Sequence, residues 1–431
     1  MKDMPALLCA VLSVRSPPLL ASVFERVIDD GRMLRTFVQI VRSGVVGRKS
    51  LGSRPKKLVK GWFAARSDEA VFRASVGQSP SLGDVVRLSR PRPANRGREA
   101  LYGWLVGREV PRSDLPEMVR SFEAYRVSPT GDVPDVPFLM LTALQLGVEQ
   151  WAAIARRASW QTTRMNLSTF ARHGVFGVAG MSELIAARLR DPEQIRRARV
   201  LPYQLMAAWS AADDVPGVVR EALQDAMDVA LENVPAVEGR LWVLPDVSGS
   251  MSSPVTGKRR GGTSAMCSID VAALFAAALL RKNKGAGILP FAERVREARL
   301  NPRDTVLTNA AQLAALGGGG TNCSAPLEKL NRERARGDLV VFISDSQSWM
   351  DRGGARGTTT MREWGTFRAR NPAAKLVCID LQPYANTQAI ERADILNVGG
   401  FSDAVFDRVA VFSSTSSGPD GWVRAIEQVE L

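Results

Sequence analysis

The sequence predicts an α-helical solenoid followed by a doubly wound α/β domain, and three observations carry that expectation. From the start to about Glu238, apolar residues recur at helical spacing and β-branched alternation is scarce. From Arg240 onward, short unbroken apolar runs alternate with helix-length segments, as in a parallel sheet buried on both faces. The length of 431 residues suggests two or three domains, and a hydrophobic content of 45% can fill their cores. The boundary is placed between residues 1–238 and 239–431.

In the first half, Met4 to Val14 reads as the opening helix. It is not read as a secretory leader, because Asp3 occupies the would-be positive region and no small-x-small cleavage site follows. Met33, Leu34, Phe37, Val38, Ile40 and Val41 keep helical spacing, as do Trp151, Ile154, Ala155 and Ala158, with Gly, Pro and Ser clusters between such segments. Ser113-Asp114-Leu115-Pro116-Glu117 and Asp191-Pro192-Glu193 are expected helix starts, each with a capping side chain, a proline for the first turn and an acid for the dipole. Paired helices without strands suggest a HEAT-type solenoid, although no repeat period is visible in the letters. Trp62 and Trp104 could stack on bases, but their helical spacing favours core packing.

In the second half, the runs Leu241–Pro245, Gly287–Phe291, Leu339–Ser344 and Leu376–Leu381 are expected central strands, with helices at Ser268–Arg281, Ala325–Ala335 and Met361–Arg370. Strand-helix alternation places a ligand site at the carboxyl ends of the strands. Val271 to Leu280, the longest later apolar run, has ten residues, well short of the roughly 20 needed to span a bilayer. No membrane association is expected.

Charge narrows the function. The net charge is +13 and the pI about 10.1, but the excess is local. Between Arg42 and Arg98 there are fourteen Lys and Arg against three acids, and between residues 151 and 200 nine Arg against three acids, whereas residues 201–238 reverse the sign. Two basic stretches in one domain point towards nucleic acid, since each cation that meets a phosphate releases condensed counterions. His173 is the sole histidine, which excludes His-rich zinc sites and leaves one imidazole for any Ser-His-Asp triad. Cys9, Cys267, Cys323 and Cys378 show no CxxC spacing and read as free thiols of a cytoplasmic protein. Thr256-Gly257-Lys258 is not a P-loop, because Ser252 stands where the first glycine belongs. Ser248 lacks a nucleophile elbow, because Asp246 stands two residues before it.

The strongest local signal follows the first predicted strand. Asp246, Ser248 and Ser250 alternate at its end, Thr321 follows Gly317–Gly320, and Asp345 follows Leu339–Ser344. This order resembles the metal-ion-dependent adhesion site of von Willebrand factor A domains. Three hydroxyls and two carboxylates suit a hard divalent cation such as Mg²⁺, acting directly or through water. The resemblance implies that one coordination position stays open for an outside ligand, often a carboxylate.

Beside that domain, the first half resembles the TROVE-module Ro ribonucleoprotein autoantigen family, most closely its bacterial Rsr-like members. The segments that carry the likeness are Gly47-Arg48-Lys49 through Lys56-Lys57 and Lys60-Gly61-Trp62; Asp84 through Pro93; Met165-Asn166-Leu167 with Phe170 to Phe176; and Ile195 to Leu205. Ile379 to Tyr384 and Asp394 to Asp403 extend it to the C-terminal strands. The resemblance implies a ring of HEAT-like repeats closed by the A domain, a basic outer surface that binds a small noncoding Y RNA, and a central hole for 3′ ends of misfolded RNA. It also implies partnership with an exoribonuclease such as polynucleotide phosphorylase, and no catalysis by the protein itself. Two departures stand out. Leu82 and Arg90 occupy positions where the family often has His, and the chain begins late, as if lacking an opening helical repeat.

The expected function is therefore noncatalytic binding of Y-like RNA and misfolded RNA ends in RNA quality control, with no DNA partner. Arg42, Arg48, Lys49, Lys56, Lys57, Lys60, Arg87, Arg90 and Arg92, with Arg164, Arg172 and His173 further on, are the candidate RNA contacts; His173 could equally cap a helix or pack in the core. The alternative is a metal-dependent protein-interaction scaffold without RNA function. A metal-dependent phosphohydrolase ranks third, because no positioned base or Asp nucleophile pair is evident.

Overall fold

In the computed structural model the described residues are 3–234, 236–255, 266–345, 359–383, 389–390, 392–400, 404–414 and 427. The rejected P-loop at 256–258, and residues 384 and 401–403 of the family likeness, lie outside them. The chain packs as two compact units, one running to Ile154 and the other beginning at Ala155.

The first unit is helical. Met4–Arg15 buries Ala6, Cys9, Ala10 and Ser13. Gly31–Arg42 buries Leu34, Phe37, Val38 and Val41, the stripe expected of its spacing, and Asp30 caps it by accepting from the Met33 N–H at 2.7 Å. Ser53–Ala64 buries Pro55, Val59, Trp62 and Phe63. Trp62 is fully buried, edge-on to Phe63 at 5.3 Å, with the Arg66 guanidinium 3.9 Å above its ring. It packs the core and offers no face to a base. Trp104 is half-buried against Phe72, and its indole N–H donates to Glu123 at 2.9 Å.

Leu82–Ser89 starts with a reciprocal capping box between Ser81 and Asp84. It crosses Arg96–Leu105 at Gly83, where a Cβ would lie 2.1 Å from the Leu105 carbonyl oxygen, so only glycine permits this approach. Arg98 ties three segments together. Its buried guanidinium donates to the carbonyls of Phe63 at 2.8 Å and Arg66 at 2.6 Å and pairs with Asp68. The expected helix start at Ser113-Asp114 lies further along: the helix is Glu117–Val127, with Pro116 before it and no side-chain cap. Asp114 is instead taken by Arg96 at 2.9 Å, and residues Arg112–Asp114 form a 3₁₀ turn.

The second unit joins further helices to a sheet. Gly217–Ala230 packs on Met181–Arg190 and Pro202–Ser210. Pro192–Ala198 begins as expected, with Asp191 accepting from Gln194 N–H at 3.1 Å. The sheet is fully parallel, with strands β1 (Leu241–Pro245), β2 (Gly287–Ile288), β3 (Leu339–Ser344), β4 (Lys375–Asp380) and β5 (Ile395–Gly399) in the order β2-β1-β3-β4-β5. β2 is shorter than the run Gly287–Phe291. Hydrogen bonds to β1 nevertheless continue past it, with Leu289 N–H donating to Val243 O at 3.0 Å and Phe291 N–H to Pro245 O at 3.1 Å, while Pro290 takes the alternate position, whose missing N–H faces the open edge of the sheet. β5 was not among the four expected central strands. The apolar run Val271–Leu280 lies within Ser268–Lys282 and is buried along its whole length, against β1 and the helices Val306–Ala314 and Pro202–Ser210. Leu244, Phe342, Leu376, Trp364 and Phe367 belong to a single hydrophobic cluster of this unit. Among the described residues, no helix is long and apolar enough to cross a membrane.

Arg98→Ala leaves two carbonyls and Asp68 without their donor, a loss of about 2–4 kcal/mol. Its melting temperature should fall by several degrees in a thermal scan. An unchanged midpoint would show that the hub contributes nothing net.

Candidate metal centre

The order β2-β1-β3 reverses the direction of winding at β1, so the crevice between the carboxyl ends of β1 and β3 is the topological switch point, where doubly wound sheets hold their ligands. Asp246 leaves β1 there and Asp345 leaves β3. Asp246, Ser248, Thr321 and Asp345 are buried, and Ser250 is half-buried.

The Asp246 carboxylate is fixed at both oxygens. Ser248 N–H donates to Oδ1 at 2.8 Å, and the Ser344 hydroxyl donates to Oδ2 at 2.7 Å. Each oxygen keeps further acceptor capacity for a cation or a water. Ser248 Oγ and Ser250 Oγ lie 3.2 Å apart. No Lys, Arg or His forms an ion pair with Asp246 among the described residues. Burial pushes its carboxyl up to about 6; the hydrogen bonds from Ser248 and Ser344 pull the other way, and the Asp345 carboxylate adds to the rise.

The glycine run brings Thr321 to this crevice. Gly318 N–H donates to Val247 O at 2.9 Å, and Gly249 N–H donates to Gly319 O at 2.9 Å. Gly318 and Gly319 have φ of +123° and +90°, which side-chain-bearing residues rarely adopt. The backbone thus joins the loop after β1 to the loop that carries Thr321, while Asp345 acts electrostatically on Asp246. The contribution of Ser344 was not visible in the sequence, where it is a lone hydroxyl closing an otherwise apolar strand.

The donor set fits a hard cation. Among the described residues, no three His, Cys, Asp or Glu side chains cluster as a metal site, so a cation here would draw on hydroxyls as well as the two carboxylates. Mg²⁺ and its relatives accept that mixture, whereas Zn²⁺ prefers nitrogen and sulfur. No disulfide joins the four cysteines, of which Cys9, Cys323 and Cys378 are buried.

The basic candidates divide by environment. Arg42, Lys49, Lys57, Arg90 and Arg92 are exposed and Lys56 and Lys60 half-buried, and none has a hydrogen-bond or ion-pair partner for its side chain among the described residues. Lys56, Lys57 and Lys60 share one flank of Ser53–Ala64, beside its buried stripe, with Lys57 the most exposed of the three. Arg48 is different: its guanidinium donates to the carbonyls of Ser13, Ser50 and Leu51. Arg87 is bound to Asp84 and to the Val106 carbonyl. In the second unit, Arg164 donates to Gln204 O at 2.8 Å, Arg172 is exposed, and His173 caps the helix Leu167–Arg172 through its backbone N–H. Leu82, where the family often has His, is buried.

Fold and site together define a von Willebrand factor A domain preceded by a helical region. Residues 240–413 match the family model described as Ro60 vWA domain. The RNA-binding protein RO60 of Deinococcus radiodurans is 25% identical over 356 residues, which are 77% of this chain and 66% of that protein. The chain thus spans just under two thirds of the length of that relative. The crystal structure of the Deinococcus radiodurans RO (RSR) protein has the same fold, with a TM-score of 0.70 and 20% identity over 95% of this chain and 86% of that one. Residues 240–413 thus match the Ro60 vWA domain family, and most of the chain is similar to the Deinococcus RO60 protein.

Asp246→Asn keeps the side-chain shape and an acceptor for Ser248 N–H while removing a buried charge. In EDTA at pH 8 the variant should melt above the parent, by an amount corresponding to roughly 1–3 kcal/mol. A variant that melts lower would show that the charge is already compensated inside the fold.

Proposed function

We propose that the protein is a noncatalytic RNA-binding protein of the cytoplasm, which binds a small Y-like noncoding RNA and the ends of misfolded RNA in RNA quality control. The observation that carries this reading is the set of unpaired cations on the first unit. Arg42, Lys49, Lys56, Lys57, Lys60, Arg90 and Arg92 have no side-chain partner among the described residues, whereas Arg73, Arg87, Arg96, Arg98, Arg120 and Arg126 all pair with acids. Cations left unpaired at a surface are available to phosphate, and contacts of this kind position RNA without reading its sequence. That a relative bears the name RNA-binding protein RO60 supports the same reading. An exoribonuclease such as polynucleotide phosphorylase is the proposed working partner, supplying the hydrolytic or phosphorolytic chemistry that this chain lacks.

Asp246, Ser248, Ser250, Thr321 and Asp345 are the proposed ligands of Mg²⁺ or another divalent cation. When bound, the cation supplies positive charge and an open position for an outside oxygen ligand. The residues around it hold Asp246 in place from Ser248 and Ser344, and hold Thr321 through the glycine loop.

Fluorescence anisotropy with a structured noncoding RNA tests the RNA reading. Affinity should fall steeply with KCl, and Lys56/Lys57/Lys60→Ala should weaken binding and reduce the slope of log K against log salt by about 2–3. Binding that is weak at low salt and indifferent to the three substitutions would refute it and favour a metal-dependent scaffold. In that case Asp246→Ala would abolish partner capture, and RNase would leave the complex intact.

A further inference from the structure

Two charged residues outside the metal donor set hold the Thr321 loop from its other side. Glu293 accepts from Gly320 N–H at 3.0 Å, and Arg296 Nη2 donates to Gly318 O at 2.8 Å. Both lie on the segment after β2, which is anchored by Asn322 N–H to Ala292 O at 2.9 Å and by Arg296 N–H to Pro290 O at 2.7 Å. The same two side chains border a cavity of about 570 Å³ between that segment and the helix Ala325–Arg332.

The walls of this cavity favour an anion. Arg294, Arg299 and Arg332 are exposed and have no hydrogen-bond or ion-pair partner among the described residues. Four arginines and Lys329 face three acids, Glu293, Glu297 and Glu328, so the wall keeps a net positive charge, and Glu328 and Glu293 are oriented by the Ser324 hydroxyl at 2.7 Å and Gly320 N–H at 3.0 Å. The guanidinium forks match carboxylates bidentately. Ile288, Leu289 and Val295 add an aliphatic wall, and among the described residues no aromatic ring lines the cavity. A nucleotide base would find nothing to stack on, so the lining favours a peptide over RNA.

We propose that this cavity docks an acidic, aliphatic peptide segment of a partner protein, and that docking strengthens metal binding at Asp246. The coupling rests on the metal-site reading above. Arg296 has five N–H donors and spends one side-chain contact on Gly318, so a bound carboxylate can fix its guanidinium while that contact persists. The loop carrying Thr321 is then preorganised for the cation, and by linkage the cation tightens the peptide equally.

The test uses the full chain and a fluorescein-labelled peptide of alternating Glu and Leu, titrated by anisotropy in EDTA and in Mg²⁺. The parent should bind in EDTA, and Arg294/Arg299/Arg332→Ala should weaken binding at least about tenfold, since it removes three guanidinium donors to the peptide carboxylates. Lys56/Lys57/Lys60→Ala, which removes equal charge elsewhere, should bind the peptide as the parent does. Mg²⁺ should tighten the peptide about fivefold, and Asp246→Asn should lose that gain while binding normally in EDTA. Equal peptide binding by the parent and the triple arginine variant would overturn the docking site. An oligouridylate of equal charge that binds more tightly than the peptide, with the same arginine dependence, would overturn the choice of a peptide. A parent that melts higher with Mg²⁺ yet binds peptide identically with and without it would overturn the coupling. If Mg²⁺ does not shift the melting of the parent at all, the metal reading fails and the coupling with it, while the EDTA comparison still decides the docking site.

Discussion

A carboxylate buried at the switch point of the sheet governs the second unit. Asp246 is inaccessible to solvent, carries no paired cation side chain among the described residues, and has the Asp345 carboxylate acting on it. Desolvation penalises its charge, and the nearby Asp345 carboxylate adds to that cost. The fold answers with dipoles: a backbone N–H from Ser248 and a hydroxyl from Ser344 hold the carboxylate in one orientation without neutralising it. A site built in this way has free energy in reserve for a divalent cation, because a bound cation would relieve repulsion that the fold alone leaves standing.

The glycine run is the second half of that arrangement. Gly318 and Gly319 take left-handed φ so that their backbone groups can bond Val247 and Gly249, and a Cβ on Gly317 would lie 2.9 Å from the Ile269 side chain. Each glycine thus meets a different demand, conformational at two positions and steric at the third. The outcome is that the loop bearing Thr321 is tied by main-chain hydrogen bonds to the loop that follows Asp246, 75 residues earlier in the sequence. Main-chain contacts suit this task because they carry no rotamer freedom to be lost.

Much of this architecture was legible in the sequence, for identifiable reasons. β1 and β3 have the expected ends because their apolar runs are bounded by residues that cannot continue a buried strand, Arg240 and Asp246 for one, Asp338 and Asp345 for the other. The five metal-ligand candidates stood out because they follow two apolar runs and a glycine run, and the structure places Asp246 and Asp345 at the ends of adjacent strands. Ser344 could not, since a single hydroxyl at a strand end has no pattern of its own. The helix at Glu117 starts late because the Asp114 side chain is claimed by Arg96, eighteen residues away, and local capping rules are blind to such competition. Composition counted Arg48 and Lys49 alike, yet the planar fork of one is satisfied by three carbonyls while the ammonium of the other stays in water. Net charge along a chain thus overstates the charge available to a partner.

That distinction decides how the basic surface of the first unit works. Guanidinium groups that bond carbonyls stabilise loops, and those paired with acids present little net field to a ligand. The cations that remain are mainly lysines on one helix flank together with Arg42, Arg90 and Arg92. Lysine acts as a hydrated point charge on a flexible stem and adapts to phosphates at varied spacing. A surface dominated by such groups favours a ligand with many phosphates over one with a single well-defined anion, and it gains affinity by counterion release more than by geometry. The cavity beside the Thr321 loop has different chemistry, with guanidinium forks against an aliphatic wall, so the two basic regions offer a ligand different surfaces although the sequence gives them the same sign.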